Sequence, residues 1–176
     1  MVGRTSLVVE CLSVRIPGGS VAVVADPLDG AVIASGFADI ARAIGFLDEP
    51  TRQRGHRIVR SSQSLEPARQ ALLAYSEGNL LALDHVRVRQ HGGEFTQRAW
   101  LAMREIRPGD TDSYSGLAAR AGSPRAARAA GRACARNRVS PFVPCHRIIA
   151  TDGSLGGFAY GLSVKTELLV HESAFG

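Results

Sequence analysis

The chain has 176 residues, of which 45% are hydrophobic, and it carries a formal net charge of +5. This length and composition predict one compact unit or two small domains, and no apolar run approaches the length that a membrane-spanning helix needs. The positive charge favours an anionic partner, and the 21 basic residues include only one lysine, Lys165, so most of the charge sits on the planar arginine fork that suits phosphate and base recognition.

Cysteine usage indicates a reducing compartment. Cys11, Cys134 and Cys145 are an odd number of cysteines at unrelated spacings, so they predict neither a disulfide framework nor a zinc site. The N-terminal run "TSLVVECLSVR" is interrupted by Glu10 and Arg15, so it lacks the pattern of a signal peptide. We therefore expect a cytoplasmic protein, in the bacterial cytosol or nucleoid, with no bound metal and no membrane contact.

The first half has the pattern of an antiparallel meander followed by helices. Short β-like runs, separated by turns that contain Gly and Pro, are "SLVVECLSV", "SVAVVA" and "GAVIAS". Helices are predicted at "FADIARAIGFL" and at "LEPARQALLAYSEG", where Pro67 suits a first turn and Gly78 a stop. No part of this half has the pattern of a site, and we interpret the scattered His56, His85 and His91 as surface or structural residues.

A further strand is predicted over "LALDHVRV", with Leu81, Leu83, Val86 and Val88 facing inward. The break "QHGGE" follows it. We place a boundary there, between an N-terminal α/β domain of structural role at 1–91 and a C-terminal domain at 92–176.

The second half begins with a helix and continues as a helix-turn-helix. In "FTQRAWLAMREI", an apolar stripe at helical spacing is formed by Phe95, Ala99, Met103 and Ile106, and we interpret Trp100 as a core anchor. After the polar loop "RPGDTDS", the helices "YSGLAARA" and "RAARAAGRACARN" are joined by the short break "GSP". Two helices joined by a tight turn that contains Gly match the DNA-binding helix-turn-helix.

Charge is concentrated in the same region. Residues 87–147 hold 12 Arg but only 4 acidic residues, a local net charge of +8. Arg125, Arg128, Arg132 and Arg136 recur at steps of three, four and four, which places them on one helical face among small residues. A solvated basic face is the plain alternative, but this position in a helix-turn-helix favours nucleic acid.

The stretch "VPCHRII" offers three interpretations: two metal ligands, a buried strand, or a nucleophile with its base. One cysteine and one histidine are too few for a zinc site, and a buried strand leaves His146 and Arg147 unexplained because both resist burial. A thiolate at Cys145 would gain from basic neighbours, namely His146, Arg147 and the arginine helix. Adjacent side chains on an extended backbone point apart, so the pair needs a turn, a water or a third residue. Glu172, in the predicted helix "SVKTELLVHES", is the candidate partner of the histidine.

The complete set of motifs resembles a known family. "PCHRII", "DGSLGGFAYG" and "KTELLVHE", with "FTQRAW", "SYSGLAARAG" and "AARAAGRACARN" upstream, resemble the 6-O-alkylguanine-DNA alkyltransferases, also called methylated-DNA–protein-cysteine methyltransferases. The resemblance covers residues 92–173. It implies an α/β (α+β) fold with an N-terminal antiparallel-sheet, RNase H-like domain and a mostly helical C-terminal domain with a winged-helix-like helix-turn-helix.

The resemblance implies a role for each residue of the alkyl-transfer site. Cys145 takes the alkyl group from the 6-O position of guanine, His146 acts as base through a bridging water, and Glu172 polarises that histidine. Asn137 stabilises the turn that carries the cysteine, and Tyr114 donates a hydrogen bond to the guanine. The remaining substrate contacts are expected from Val143, Ile148, Phe158 and Ala159.

The resemblance also implies double-stranded DNA that contains alkylated guanine as the partner, bound by its minor groove. Arg128 fills the gap left by the flipped nucleotide, a role that base flipping requires. Further DNA contacts are expected from Arg125, Arg132, Ala127, Gly131 and Ala135. The protein is consumed in one turnover and needs no cofactor. We expect a monomer in solution and leave cooperative assembly on DNA open.

Some positions depart from the family pattern. Arg138 replaces a usual proline and predicts an extra phosphate contact, Asp112 and Ser115 predict slightly weaker binding, and Ala159 stands where some members carry serine. Cys134 is interpreted as a small buried residue. Two alternatives of other classes are a catalytically inactive alkyltransferase-like protein that only binds damaged DNA, which would lack Cys145, and a helix-turn-helix transcription regulator. A cysteine hydrolase is a third, but it would not require the basic helix.

Overall fold

The structure, a computed structural model, describes residues 8–173, so positions 6 and 7 of the first predicted strand lie outside it. The strands are β1 (Val9–Ile16), β2 (Gly19–Ala25), β3 (Val32–Gly36), β4 (His56–Ile58), β5 (Asp112–Ser113) and β6 (Ile148–Ile149). The α-helices are α1 (Ile40–Gly45), α2 (Glu49–Gln53), α3 (Glu66–Ser76), α4 (Glu94–Arg104), α5 (Tyr114–Arg120), α6 (Ala127–Ala135) and α7 (Leu162–His171). Two 3-10 turns cover Ala82–His85 and Cys145–Arg147.

The N-terminal sheet has the strand order β3-β2-β1-β4. The predicted antiparallel meander is confirmed, since β1 pairs with β2 and β2 with β3 in antiparallel fashion. The tight connection before β2 uses Gly18, whose φ of 92° is open to glycine without strain. The parallel strand β4 was not predicted, because all three of its residues are exposed and show no alternation.

The strand predicted over "LALDHVRV" is wrong. Short-range hydrogen bonds such as Asp84 N–H to the Leu81 carbonyl (3.1 Å) draw the backbone into a 3-10 turn. Leu83 and Val86 are buried as expected, but Leu81 is 53% exposed. Val88 alone is in a β-bridge, parallel to Val32.

The predicted helices of the second half are confirmed with shorter bounds. Trp100 of α4 is buried and donates its indole N–H to the Ala133 carbonyl of α6 (2.9 Å), so it anchors the core as expected. The helix-turn-helix connection spans residues 121–126, longer than the predicted three or four residues. Because α6 begins only at Ala127, Arg125 precedes the helix and Arg136 caps its end.

One core cluster joins the two halves of the chain. It runs from Leu12 on the sheet through Tyr75 and Trp100 to Leu168 on α7. The opposite face of the sheet packs under α1 as a second cluster that contains Cys11, whose thiol pKa is raised by burial to about 11. Within residues 8–173, no helix has the length and apolarity to cross a membrane.

Candidate active site

Cys145 lies on a turn and not on a strand. The 3-10 turn Cys145–Arg147 is closed by a hydrogen bond from the Arg147 N–H to the Pro144 carbonyl (3.0 Å), and it leads into β6, where Ile148 pairs with Asp112. On a turn, neighbouring side chains are not forced to opposite faces. The local backbone therefore does not by itself force the side chains of Cys145 and His146 apart.

Asn137 ties the turn to the sulfur. Its amide Nδ2 lies 2.7 Å from the Val143 carbonyl and 3.2 Å from Cys145 Sγ, and its Oδ1 accepts a hydrogen bond from the Val139 N–H (3.1 Å). The side chain thus closes the loop before the turn and directs an N–H at the sulfur.

His146 and Glu172 form a fully buried pair. His146 Nε2 lies 2.9 Å from Glu172 Oε1, and both side chains are shielded from solvent. Because a carboxylate only accepts, the hydrogen bond assigns the histidine proton to Nε2 and leaves Nδ1 as an acceptor. Among residues 8–173, no protein group bonds to that Nδ1.

The charges of the pair follow from burial and from its partners. Burial lowers the pKa of His146, so its ring is neutral. Burial alone would raise the pKa of Glu172, but hydrogen bonds from His146 and Arg147 outweigh that effect and hold it at about 2. The site therefore contains an ionised carboxylate behind a neutral imidazole, which is the state a base requires.

Arg147 supplies the countercharge of Glu172. Its Nε and Nη2 lie 2.9 Å from the two carboxylate oxygens, and its Nη1 donates to the Ile106 carbonyl at 2.6 Å. The expectation that His146 and Arg147 resist burial is wrong, because both are buried and satisfied by this network. It is the paired carboxylate that makes their burial tolerable.

Tyr75 brings the first half of the chain into the site. From α3, its hydroxyl donates to Glu172 Oε1 at 2.9 Å. The first half, in which no site pattern was recognised, therefore contributes a side chain to the buried network. A buried tyrosine hydroxyl generally has a hydrogen-bond partner, but the sequence does not show that this partner is Glu172.

The Cys145 thiol is protonated at rest. Burial raises its pKa, and the Asn137 amide and the Lys165 charge offset this only in part. The Arg147 guanidinium, expected to favour a thiolate, is engaged with Glu172 and Ile106. Removal of the thiol proton therefore depends on a base.

Cys145 opens on a cavity of about 220 Å³. The expected substrate residues Tyr114, Phe158 and Ala159 line it, as do Gly131, Ala135, Asn137, Gly157, Tyr160 and the half-buried Cys134. Val143 and Ile148 do not line it; both are buried, and their carbonyls accept from Asn137 and Lys165. Cys134, expected to be simply buried, is part of the wall.

Lys165 and Tyr160 hold the cavity wall, and sequence reasoning missed both. The Lys165 ammonium donates to the carbonyls of Ile148 (2.5 Å) and Gly157 (3.5 Å), which fixes the wall loop to α7. The Tyr160 hydroxyl donates to the Ser35 carbonyl of β3 (3.5 Å), and its ring lies edge-on to Phe158 at a centroid distance of 5.5 Å. The unique lysine was the available signal for the first contact.

The basic face beside the cavity is free to bind. Within the part of the chain that the structure describes, the exposed Arg125, Arg128, Arg132 and Arg136 form no ion pair. Asp112, the departure next to Tyr114, is bonded to Arg120 at 2.6 Å, so its charge is neutralised locally. The exposed His56, His85 and His91 stand apart, and residues 8–173 contain no group of three or more His, Cys, Asp or Glu that could hold a metal ion.

Comparisons with known proteins agree with this geometry. Residues 94–174 match the profile of the 6-O-methylguanine DNA methyltransferase DNA-binding domain. The chain is 33% identical over 147 residues to the methylated-DNA–protein-cysteine methyltransferase of Methanosarcina mazei, covering 84% of this chain and 92% of the relative. The relative of the same name from Methanosarcina acetivorans is 39% identical over 116 residues, covering 66% of this chain and 74% of the relative. The crystal structure of Mycobacterium tuberculosis OGT in complex with DNA superposes with a TM-score of 0.74 at 28% identity, covering 94% of this chain and 93% of that one.

Proposed function

We propose that Cys145 is the acceptor of the alkyl group, because the chain belongs to the methylated-DNA–protein-cysteine methyltransferase family. This family repairs DNA by moving an alkyl group from the damaged base to a protein cysteine. The observation that carries this proposal is the environment of Cys145. Its sulfur faces a cavity and accepts a hydrogen bond from the Asn137 amide, and the next residue, His146, is hydrogen-bonded to the ionised carboxylate of Glu172. Cys134 lines the same cavity, but the hydrogen bond from the Asn137 amide goes to the sulfur of Cys145. Cys11 belongs to the other face of the sheet.

The reaction is a direct displacement that balances within the protein and its substrate. His146 Nδ1 takes the thiol proton through a bridging water, and the Cys145 sulfur attacks the alkyl carbon in line with the bond to O6 of guanine. That carbon–oxygen bond breaks, and its electron pair goes to O6 of the guanine. Tyr114 donates a hydrogen bond to the guanine, so the base leaves without its full negative charge. The thioether at Cys145 is not reversed, so the protein reacts once.

The substrate is a guanine alkylated at 6-O and flipped out of double-stranded DNA. An atom of a stacked base cannot be reached in line, which makes extrusion necessary. The small residues Ala127, Gly131 and Ala135 let α6 approach the minor groove, and Arg128 enters the stack in place of the missing base. Arg125 and Arg132 bind the flanking phosphates. We expect the protein to act as a monomer in the bacterial cytoplasm.

Intact mass tests the assignment of the acceptor. After incubation with a duplex that contains 6-O-methylguanine, the mass should rise by one methyl-for-hydrogen exchange that maps to Cys145. Cys145→Ser should show no gain, and Cys134→Ser should react like the unmodified protein. A methyl group on Cys134, or tight binding with an unchanged mass, would contradict the proposal.

The role of Arg128 is tested by comparing substrates. Arg128→Ala should slow transfer from the duplex far more than transfer from the free base 6-O-methylguanine, since only the duplex pays the unstacking cost of a few kcal/mol. Arg132→Ala, on the same helix, is the matched control for the loss of one positive charge. Equal losses on both substrates would remove Arg128 from base flipping.

A further inference from the structure

A second basic surface lies outside the alkyl-transfer cavity. It is a cleft of about 460 Å³ between the segment that joins α1 to α2 and the end of α6. Phe46, Thr51, His91, Arg136 and Arg138 line it, so both halves of the chain contribute. None of these five lines the cavity of Cys145.

Arg138 is held in place by contacts with the first half. Its N–H donates to Gln90 Oε1 at 2.9 Å, and its carbonyl accepts from the Ser35 N–H at 2.7 Å. Its guanidinium lies over the Phe46 ring, 4.7 Å from the centroid. This contact engages the charge of the guanidinium with the ring face, and no ion pair within residues 8–173 occupies its N–H groups. An anion bound at these N–H groups meets a side chain whose freedom has already been reduced.

The charge of the cleft is positive after its internal pairs are subtracted. Arg89 is paired with Asp26, whose carboxylate lies 2.9 Å from it. Asp48, the acid in the lining, accepts a hydrogen bond from the Thr51 N–H (2.9 Å) and caps α2. Within residues 8–173, Arg136 and Arg138 form no ion pair, so both can meet an external anion.

The cleft continues the basic face of the DNA-binding helix. Arg136 caps α6, and Arg138 follows two residues later, so the basic residues run from Arg128 through Arg132 into the cleft. We propose that this cleft binds a backbone phosphate of the same duplex that α6 engages, away from the flipped nucleotide, and extends the DNA contact onto the N-terminal half. The proposal rests on the placement of α6 against DNA given above. A phosphodiester is the favoured occupant because the neighbouring arginines of α6, Arg128 and Arg132, are proposed to contact the same DNA.

The test is equilibrium binding of a long duplex with a central 6-O-methylguanine at several salt concentrations. Arg138→Gln should lower the slope of log affinity against log salt by about 0.9, the value for one lost phosphate contact. The ratio of the affinity of the unsubstituted protein to that of Arg138→Gln should then fall about 3.5-fold when the salt concentration is raised fourfold. Arg138→Lys should retain the slope, and Phe46→Leu, which removes only the stacking partner, should weaken binding with the charge intact.

Arg15→Gln is the matched control, since Arg15 is exposed, lies outside the cleft and carries the same charge. The proposal fails if Arg138→Gln has the affinity and salt slope of that control, or if its binding weakens with an unchanged slope. Two shortened duplexes, each truncated on one side of the lesion, add a second test: one truncation should abolish the difference between the unsubstituted protein and Arg138→Gln. If neither does, no DNA phosphate reaches the cleft. Methyl transfer to Cys145, followed in the same samples, reports separately on the proposed function.

Discussion

Replacing Glu172 with glutamine tests the buried network that supports Cys145. The substitution keeps the size of the side chain and removes its charge. The carboxylate accepts hydrogen bonds from Tyr75, His146 and Arg147, and all of these groups are buried. Glutamine leaves the Arg147 cation without a countercharge in the interior.

The loss of stability follows from the pKa of the carboxyl group. Glu172 has a pKa of about 2 in the folded protein against 4.5 for the unperturbed group. A lowered pKa contributes stability that is fully present above 4.5 and is lost as the pH falls towards 2. The difference corresponds to about 3 kcal/mol at neutral pH. This lies at the lower end of the 3–5 kcal/mol known for breaking one partner of a buried ion pair.

Urea unfolding between pH 3 and pH 8 measures this contribution. Trp100 is the only tryptophan and is buried, so its fluorescence reports on the unfolding of the core. Glu172→Gln should lose about 3 kcal/mol at pH 7, and its deficit should shrink once the pH falls below 4.5. Glu105→Gln, an exposed site, is the matched control for the loss of one negative charge. A deficit below about 1 kcal/mol at pH 7, or one that does not depend on pH, would refute the ionised, buried carboxylate.

Two further substitutions test contacts between the halves. Tyr75→Phe keeps the ring but removes one hydrogen-bond donor to the charged Glu172 carboxylate, so the free energy of unfolding should fall by about 1.5–3 kcal/mol. Tyr160→Phe is the control, because it loses only a 3.5 Å contact and should change the free energy of unfolding little. A Tyr75→Phe protein of full stability would count against the hydrogen bond. Gly36→Ala would place a Cβ 2.0 Å from the Tyr160 hydroxyl, so Tyr160 must move within the cavity wall and transfer from free 6-O-methylguanine should slow. The same change should be silent in a Tyr160→Ala background, and an equal effect in both backgrounds would exclude this route.

The helices of the second half could be predicted because their patterns are local, whereas the roles of the site residues were expected from the resemblance of several motifs to one family. Phe95, Ala99 and Met103 repeat at helical spacing, and the motif around Cys145 is continuous in sequence. The strand over "LALDHVRV" failed because alternating apolar residues fit two structures. The 3-10 turn also buries Leu83 and Val86, and only Leu81 distinguishes the two by its exposure.

Contacts that join distant parts of the chain left little trace in the sequence. Tyr75 looks like an ordinary core residue until its hydroxyl is seen on Glu172, 97 positions away. Arg147 looked like an exposed cation, and its burial depends on a carboxylate from another element. The charge of a single side chain predicts that it is exposed to solvent. A buried ion network makes burial possible for each of its members, and this cannot be seen from any one residue.

The protonated thiol and the buried network are consistent with a protein that reacts once. A cysteine whose pKa lies well below neutral pH is a thiolate at rest and is open to oxidation. Here burial keeps the pKa of Cys145 raised, so the thiol stays protonated until a base removes its proton. A protonated thiol is less open to oxidation than a thiolate, and the cost of burying Glu172 is offset by a residue from each half, Tyr75 and Arg147. The N-terminal half thereby supports the chemistry without touching the sulfur.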